Sequence, residues 1–88
     1  MPEALTAEDI IARGDQIEAW LKMPLVVELF EKMRLRYIDE WESAKGLAKR
    51  EEAFAKMQVL KDLKTEMNTI VAGKHFTRAE LARRQKQG

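Results

Sequence analysis

The sequence predicts an all-α, single-domain protein spanning residues 1–88. We expect an antiparallel helical hairpin, with a short N-terminal helix packed on it and a short basic C-terminal helix. Three observations favour this fold class. Apolar residues recur every three or four positions along most of the chain, which is the spacing of one helix face. Only four Gly and two Pro interrupt the 88 residues. No segment alternates apolar and polar residues as a half-buried strand does.

The first helix is predicted over residues 6–22. Thr6 starts it, because the threonine hydroxyl can accept a hydrogen bond from the backbone N–H of Asp9 and cap the first turn. Gly14 weakens the middle of this helix by about 1 kcal/mol relative to alanine. Pro24 ends it, since the residue before a proline is pushed out of helical geometry, and the same proline fits the first turn of the next helix.

The second helix, residues 24–45, carries the clearest apolar stripe. Its members are spaced by three or four residues and project within about 80° of one another around the helix axis. Gly46 follows as a residue that can adopt the left-handed conformation that closes a helix. The stripe is the predicted core face of this helix and comprises Val26, Phe30, Met33, Tyr37 and Trp41.

The third helix is predicted over residues 48–72 and ends at Gly73. Apolar residues repeat every seven positions here, in two sets that lie three positions apart. Two such stripes on either side of a short turn predict that the second and third helices pack antiparallel. The predicted core residues of the third helix are Met57, Leu60, Leu63, Met67 and Ile70.

A separate short helix is predicted over residues 78–85. Thr77 and Glu80 match the capping-box motif, in which two side chains satisfy each other's backbone N–H groups. Residues 73–88 hold five basic residues and one acidic residue, although the whole chain has a net charge of only +1. This basic cluster is the predicted partner-binding element, directed at a protein with an acidic surface. It consists of Lys74, Arg78, Arg83, Arg84 and Lys86.

Two other interpretations of the basic cluster remain open. Its side chains can contact the phosphates of a nucleic acid, in which case salt weakens binding steeply. They can also simply complement the dipole of the last helix and keep the chain end soluble. The near-neutral total charge disfavours a protein whose main task is to coat nucleic acid or an anionic membrane. No apolar run approaches about 18 residues, so no membrane partner is predicted.

Self-association is the second predicted interaction. Leu35 projects about 150° from the centre of the apolar stripe and stands among acidic residues. Trp20 belongs to a first helix that can pack on its own hairpin or on a neighbouring one. Because so short a chain buries a thin core, these two apolar residues are the predicted self-association contacts.

The sequence predicts no catalytic residue, no metal site and no cofactor. Cysteine is absent, which excludes thiolate zinc sites and cysteine nucleophiles. His75 is the only histidine, and Glu80 is its nearest acidic residue in sequence. Adjacent acidic residues such as Glu51 and Glu52 point about 100° apart on a helix and do not converge on one site. The chain is therefore predicted to be non-enzymatic.

Three segments between residues 16 and 74 carry a resemblance to a known family: QIEAWLKMP, LFEKMRLRYIDEW and REEAFAKMQVLKDLKTEMNTIVAGK. They resemble small α-helical-hairpin proteins of tailed bacteriophages and prophages. Such proteins pair an aromatic-rich helix ending near a Trp with a second helix that opens on Arg-Glu and closes on Gly-Lys. The resemblance covers about two-thirds of the chain and carries over no catalytic residues.

The resemblance implies a role in virion assembly, because members are encoded among phage structural and DNA-packaging genes. We expect a scaffold or adaptor protein, or a minor virion component, located in the host cytoplasm or in the virion. Its hairpin would self-associate, and its basic helix would bind an acidic partner such as coat or portal protein. The alternatives are a DNA-packaging factor resembling a small terminase subunit and a small phage inhibitor of a host protein.

Overall fold

A computed structural model describes residues 5–87, the last of them by its backbone only. This part of the chain consists of three helices: α1 (Ala7–Leu21), α2 (Pro24–Ser43) and α3 (Leu47–Gln87). The predicted all-α class is confirmed, and no strand occurs within residues 5–87. The chain divides into two compact units, which we call the α1 unit (residues 5–21 with 66–87) and the α2 unit (Lys22–Thr65).

Local sequence rules set three of the helix boundaries. The Thr6 hydroxyl accepts a hydrogen bond from the Asp9 backbone N–H at 3.1 Å, and the Asp9 carboxylate accepts one from the Thr6 N–H at 3.3 Å. Pro24 is the first residue of α2. Gly46, in the turn before α3, has a φ of 98°, a backbone conformation that favours glycine. The ends of α1 and α2 and the start of α3 lie within two residues of their predicted positions.

The length of α3 is the largest departure from the sequence prediction. The predicted end at Gly73 and the separate basic helix over residues 78–85 are wrong, because Leu47–Gln87 is one helix of 41 residues. Thr77 and Glu80 lie inside this helix, so the capping box predicted for the start of a separate helix is absent. A glycine inside a helix costs about 1 kcal/mol relative to alanine, and tertiary packing can offset that cost. Here α1 packs against this segment, so the basic end belongs to α3.

The surface predicted for α1 was the hairpin of residues 24–72, whereas the contacts of α1 described below lie just beyond residue 72. Its ion pairs and close contacts described below reach residues 73–78 of α3. The α1 unit accordingly joins α1 to the segment of α3 that begins at residue 66. The loop and the separate helix predicted after Gly73 cover most of that segment, so no packing of α1 beyond residue 72 was expected.

In the α2 unit, cationic side chains of α3 lie over aromatic rings of α2. Each cation lies less than 6 Å from the centre of its ring, within the range of a cation–π interaction. The pairs are Arg50 over Trp41 at 5.8 Å, Lys56 over Tyr37 at 5.8 Å and Lys64 over Phe30 at 5.7 Å. The residue numbers rise along α3 as they fall along α2, so the two helices present these partners in opposite order.

Few hydrophobic side chains of the described residues are buried. In the α2 unit they are Val26, Ala53 and Leu60, and in the α1 unit Met67. Three of these residues belong to the predicted core, and Ala53 adds a small residue on the same seven-residue repeat as Leu60 and Met67. The repeat thus marks the innermost line of α3.

The other predicted core residues are less buried than expected. A helix with one neighbour buries the centre of its apolar stripe, while the edges of the stripe stay in contact with water. The half-buried residues are Phe30, Tyr37 and Met57. The exposed residues, for which the core prediction is wrong, are Met33, Trp41, Leu63 and Ile70.

Candidate functional site

Two acidic residues of α1 and three residues of α3 form a charge cluster in the α1 unit. Asp15 and Glu18 lie three positions apart and therefore on one face of α1. Lys74 and Arg78 lie four positions apart on α3, with His75 beside them, and face those carboxylates. From the sequence, Lys74 and Arg78 were expected to contact an outside partner or to complement the helix dipole, and pairing with α1 was not predicted.

Lys74 is the centre of the charge cluster. Its Nζ lies 2.8 Å from Oε2 of Glu18 and 3.1 Å from Oδ1 of Asp15. The Arg78 guanidinium lies 3.3 Å from both carboxylate oxygens of Asp15. His75 Nε2 lies 3.3 Å from Oε2 of Glu18, a contact that is ionic only when the imidazole is protonated. Each carboxylate is thus shared between two side chains of α3.

Gly14 provides the space that Lys74 occupies. A Cβ built on Gly14 would collide with the Cβ of Lys74 and come within 3.0 Å of its Cγ and Cδ. The lysine side chain therefore lies directly on the α1 backbone, and Lys74 is only 3% exposed. The pKa of Lys74 is raised above its ordinary value, and the main cause is the hydrogen bond that its ammonium donates to Glu18. No buried side-chain N or O of the described residues lacks a hydrogen-bond partner.

These contacts correct the prediction that Lys74 binds a partner. Its ammonium is buried and already paired within the chain, so it has no surface to offer. The physical reason is the absence of a side chain at Gly14, which lets the aliphatic part of Lys74 pack while its charge reaches two carboxylates. Arg78 is also paired, although about half of its side chain stays exposed.

The last turns of α3 keep the rest of the predicted basic cluster at the surface. Arg83 pairs with Glu80 on the same helix at 3.1 Å, and its side chain is largely exposed. Arg84 and Lys86 are exposed, and the structure gives neither of them an ion pair among residues 5–87. Of the predicted partner-binding residues, these three are therefore the ones available to an outside partner.

An apolar groove runs between α2 and α3 in the α2 unit. It encloses about 370 Å³, and its lining includes Met33 and Tyr37 from α2 and Val59, Leu60 and Leu63 from α3. Leu25 and Leu29 precede Met33 by eight and four positions, so all three lie along one side of α2. We use "apolar groove" for the exposed residues of this surface, which are Leu25, Leu29, Met33, Val59 and Leu63.

A second hollow, of about 440 Å³, lies beside the turn that joins α2 to α3. Polar and charged side chains of both signs line it, among them Glu40, Lys45, Lys49, Glu52 and Lys56. The Lys56 ammonium is bonded to Glu40 at 3.1 Å, and this bond is the first cause that raises the pKa of Lys56. No group of three or more His, Asp or Glu that could hold a metal ion occurs in the described part of the chain.

The two predicted self-association residues lie in different units. Trp20 is an exposed residue of the α1 unit, and Leu35 is an exposed residue of the α2 unit. Leu35 lies about 160° around α2 from Met33, and therefore away from the hollow that Met33 lines. The groove itself was missed, although the four-residue spacing of Leu25, Leu29 and Met33 was visible in the sequence.

Comparisons with known proteins give no match: no family model, no curated protein and no solved structure is significantly similar to the chain. The phage resemblance accordingly rests on the sequence motifs quoted above. None of the helices in the described region has both the length and the apolar character needed to cross a lipid bilayer.

Proposed function

We propose that this chain is a non-enzymatic helical interaction protein that acts through its surface. The observation that carries this proposal is the apolar groove, in which Met33, Val59 and Leu63 line one hollow as large exposed hydrophobic residues. Soluble monomers rarely leave such a contiguous apolar surface in water, and it usually marks a site of protein interaction.

In this proposal, α2 and the first part of α3 form an antiparallel hairpin, which is the body of the protein. The opposite order of the cation–π pairs along the two helices supports this arrangement. The ion pair between Lys56 and Glu40 joins the same two helices. A hairpin of this kind offers an extended face to another protein, whereas catalysis usually uses a concave pocket with converging polar groups.

The basic end of α3 is the second binding element of the proposal. Arg83, Arg84 and Lys86 are exposed on its last turns, where they can approach an acidic protein surface. The charge cluster adds a second feature, because it fixes α1 beside α3 just before this basic end. The docking element is therefore held as a helix before any partner arrives, which reduces the ordering entropy lost on binding.

The sequence resemblance supports the assignment of this activity to virion assembly, with coat or portal protein as the acidic partner. A self-associating helical body and a charged end that binds reversibly suit a scaffold or adaptor. The test is mass spectrometry of procapsids and virions purified from cells that encode the chain. We expect the protein in procapsids, in virions or in both, at a stoichiometry that repeats between preparations. Absence from both kinds of particle contradicts the assembly role.

DNA packaging is the second candidate, supported by the exposed basic end. Its proper test is the binding of a 20-base-pair DNA duplex to the purified chain at several salt concentrations. With three cations available, the logarithm of affinity should fall with the logarithm of salt at a slope of about −3 for each copy engaged. If several copies bind one duplex and the affinity falls much more steeply with salt, a multi-subunit packaging factor is favoured over the scaffold or adaptor.

A further inference from the structure

We propose that the apolar groove binds a second copy of this chain, so that the α2 units of two chains together form a four-helix bundle. The proposal deepens the proposed function, because it assigns the self-associating surface and its partner. It differs from the sequence prediction, which placed self-association at Leu35 and Trp20.

The exposure of the groove residues is the first argument. Val59 is 68% exposed and Leu63 is 49% exposed on α3, and Leu25, Leu29 and Met33 are exposed on α2. Leu60 and Tyr37 form the deeper part of the lining. In a four-helix bundle made by two chains, each chain supplies two helices and half of the core. Two rows of apolar residues on neighbouring helices can form such a half. A second hairpin supplies the other half with the same spacing.

The charges around the groove favour a copy of the same chain over a strongly charged partner. The lining contains one acidic and one basic residue, Glu52 and Lys56, so it has no net charge to attract an acidic or a basic protein. Beside the leucines of α2, Glu28 and Lys32 form an ion pair at 3.2 Å. A surface with balanced charges can face its own copy without like-charge repulsion.

The surroundings of Leu35 are unsuitable for the same purpose. Glu31 and Asp39 lie four positions to either side of Leu35, and Glu28 and Glu42 lie seven positions away. All four carboxylates are therefore on its side of the helix. Since Glu31 is paired with Arg34 and Glu28 with Lys32, the carboxylates of Asp39 and Glu42 are the ones that would repel each other between two copies that met through Leu35. Leu35 is 52% exposed, close to Leu63, which makes it a matched control on the same unit.

The test is the molar mass of the purified full chain by light scattering coupled to size exclusion, over a dilution series. We expect the wild type to have twice the mass of 10.2 kDa at high concentration. Val59→Glu and Leu63→Glu should each weaken dimerisation at least about 100-fold, because each dimer would bury two unpaired carboxylates. Leu35→Glu should leave the dimer unchanged. Circular dichroism reports whether each variant stays helical.

A second measurement covers the case in which the glutamate variants lose their helices. The chain has no cysteine, so Val59→Cys and Leu35→Cys each introduce a single thiol. The maleimide labelling rate of Val59→Cys should fall several-fold as the protein concentration rises through the dimerisation range, while that of Leu35→Cys stays constant. These variants are mild enough to keep the exposed positions folded.

Three results would overturn the proposal: a wild type that stays monomeric up to about 1 mM, a dimer that survives both glutamate substitutions, or equal protection of the two thiols. If the chain forms higher oligomers that dissociate in the Leu35→Glu variant, self-association uses the face around Leu35 that the sequence predicted, and the groove proposal is wrong. None of these measurements uses an outside partner or a virion. Dimerisation through the groove can therefore be disproved while detection in particles still supports the assembly role. Equally, the assembly role can be disproved while the dimer is confirmed.

Discussion

Gly14 of α1 lies directly against the side chain of Lys74 of α3, and Lys74 fills the space that a side chain at position 14 would need. The two residues are 60 positions apart in sequence. Their contact buries the lysine and brings its ammonium to Asp15 and Glu18. The arrangement explains why one member of the basic cluster is internal although its neighbours at positions 83–86 stay at the surface.

The first prediction is that Gly14→Ala destabilises the protein, although alanine is the better helix former. The new methyl group would collide with Lys74, and overpacking of this kind costs about 1–3 kcal/mol. The gain in helix propensity is about 1 kcal/mol. Urea denaturation followed by circular dichroism should therefore show a lower free energy of unfolding, by up to about 2 kcal/mol.

Gly73→Ala is the matched control for Gly14→Ala, because both glycines lie inside helices of the α1 unit. A Cβ on Gly73 would lie 3.8 Å from the Ile10 side chain, which is an ordinary van der Waals distance. This substitution should raise the free energy of unfolding by up to about 1 kcal/mol. If both alanine variants were stabilised equally, the close approach of α1 and α3 at Gly14 would be contradicted.

The second prediction concerns the pH dependence that Lys74 contributes. Hydrogen bonding to Glu18 raises its pKa in the folded protein, so the folded state holds this proton more tightly than the unfolded state. The stabilisation is complete below the ordinary lysine pKa of 10.5 and is lost as the pH rises through the raised value. The urea midpoints of wild type and Lys74→Met should thus differ most below pH 10.5, and the difference should shrink as the pH rises above that value.

Arg83→Met is the control for Lys74→Met. Arg83 also has a carboxylate partner, Glu80, but this pair lies at the surface on a single helix. Exposed pairs of this type contribute little to stability. We expect no measurable shift of the urea midpoint for Arg83→Met at any pH. An equal effect of the two substitutions would mean that the burial of Lys74 has no energetic consequence.

The third prediction is that Gly46→Ala destabilises the α2 unit through the backbone alone. No atom lies within 4 Å of a Cβ built on Gly46, so the substitution creates no collision. Its φ of 98° is nevertheless a conformation that costs an L-residue about 1–2 kcal/mol. Gly46→Asn should cost less, because asparagine tolerates positive φ better than alanine does. Thermal unfolding of the two variants should therefore rank wild type above Asn and Asn above Ala.

The helix boundaries could be predicted where they depend on residues within one turn. Thr6 and Asp9 are three positions apart, and Pro24 and Gly46 act through their own backbone geometry. The end at Gly73 could not be predicted in this way, because a glycine is compatible both with a helix end and with a continuing helix. Here the packing of α1 on the far segment of α3 decides between the two.

The candidate site was less predictable than the helices for a related reason. The periodic pattern identifies which residues of α2 and α3 are apolar, but the amount of each stripe that a neighbour covers is a property of packing. Met33 and Leu63 therefore changed from predicted core to exposed lining of the groove. The place of Lys74 depends on Gly14, and a glycine in a helix gives no sequence signal of what will pack against it.

The fourth prediction concerns the basic end of α3. Arg84→Gln with Lys86→Gln should weaken binding to an acidic partner, because both cations are exposed and no ion pair within residues 5–87 occupies them. A glutamate-rich peptide is the probe, with fluorescence anisotropy at low and high salt as the measurement. We expect at least about a tenfold loss of affinity at low salt, since two attractive charges disappear. Glutamine keeps helix propensity, so helix content should not change.

Lys45→Gln with Lys49→Gln is the control for this prediction, because it removes the same charge from the α2 unit. Both lysines are exposed beside the turn between α2 and α3. If the peptide responds only to total charge, the two double variants will lose affinity equally, and the assignment of the basic end as a docking element is wrong. If the loss is specific to Arg84 and Lys86, the end of α3 binds the acidic probe through its own side chains. The pairing of Lys74 with α1 then confines the docking element to the last turns of the helix.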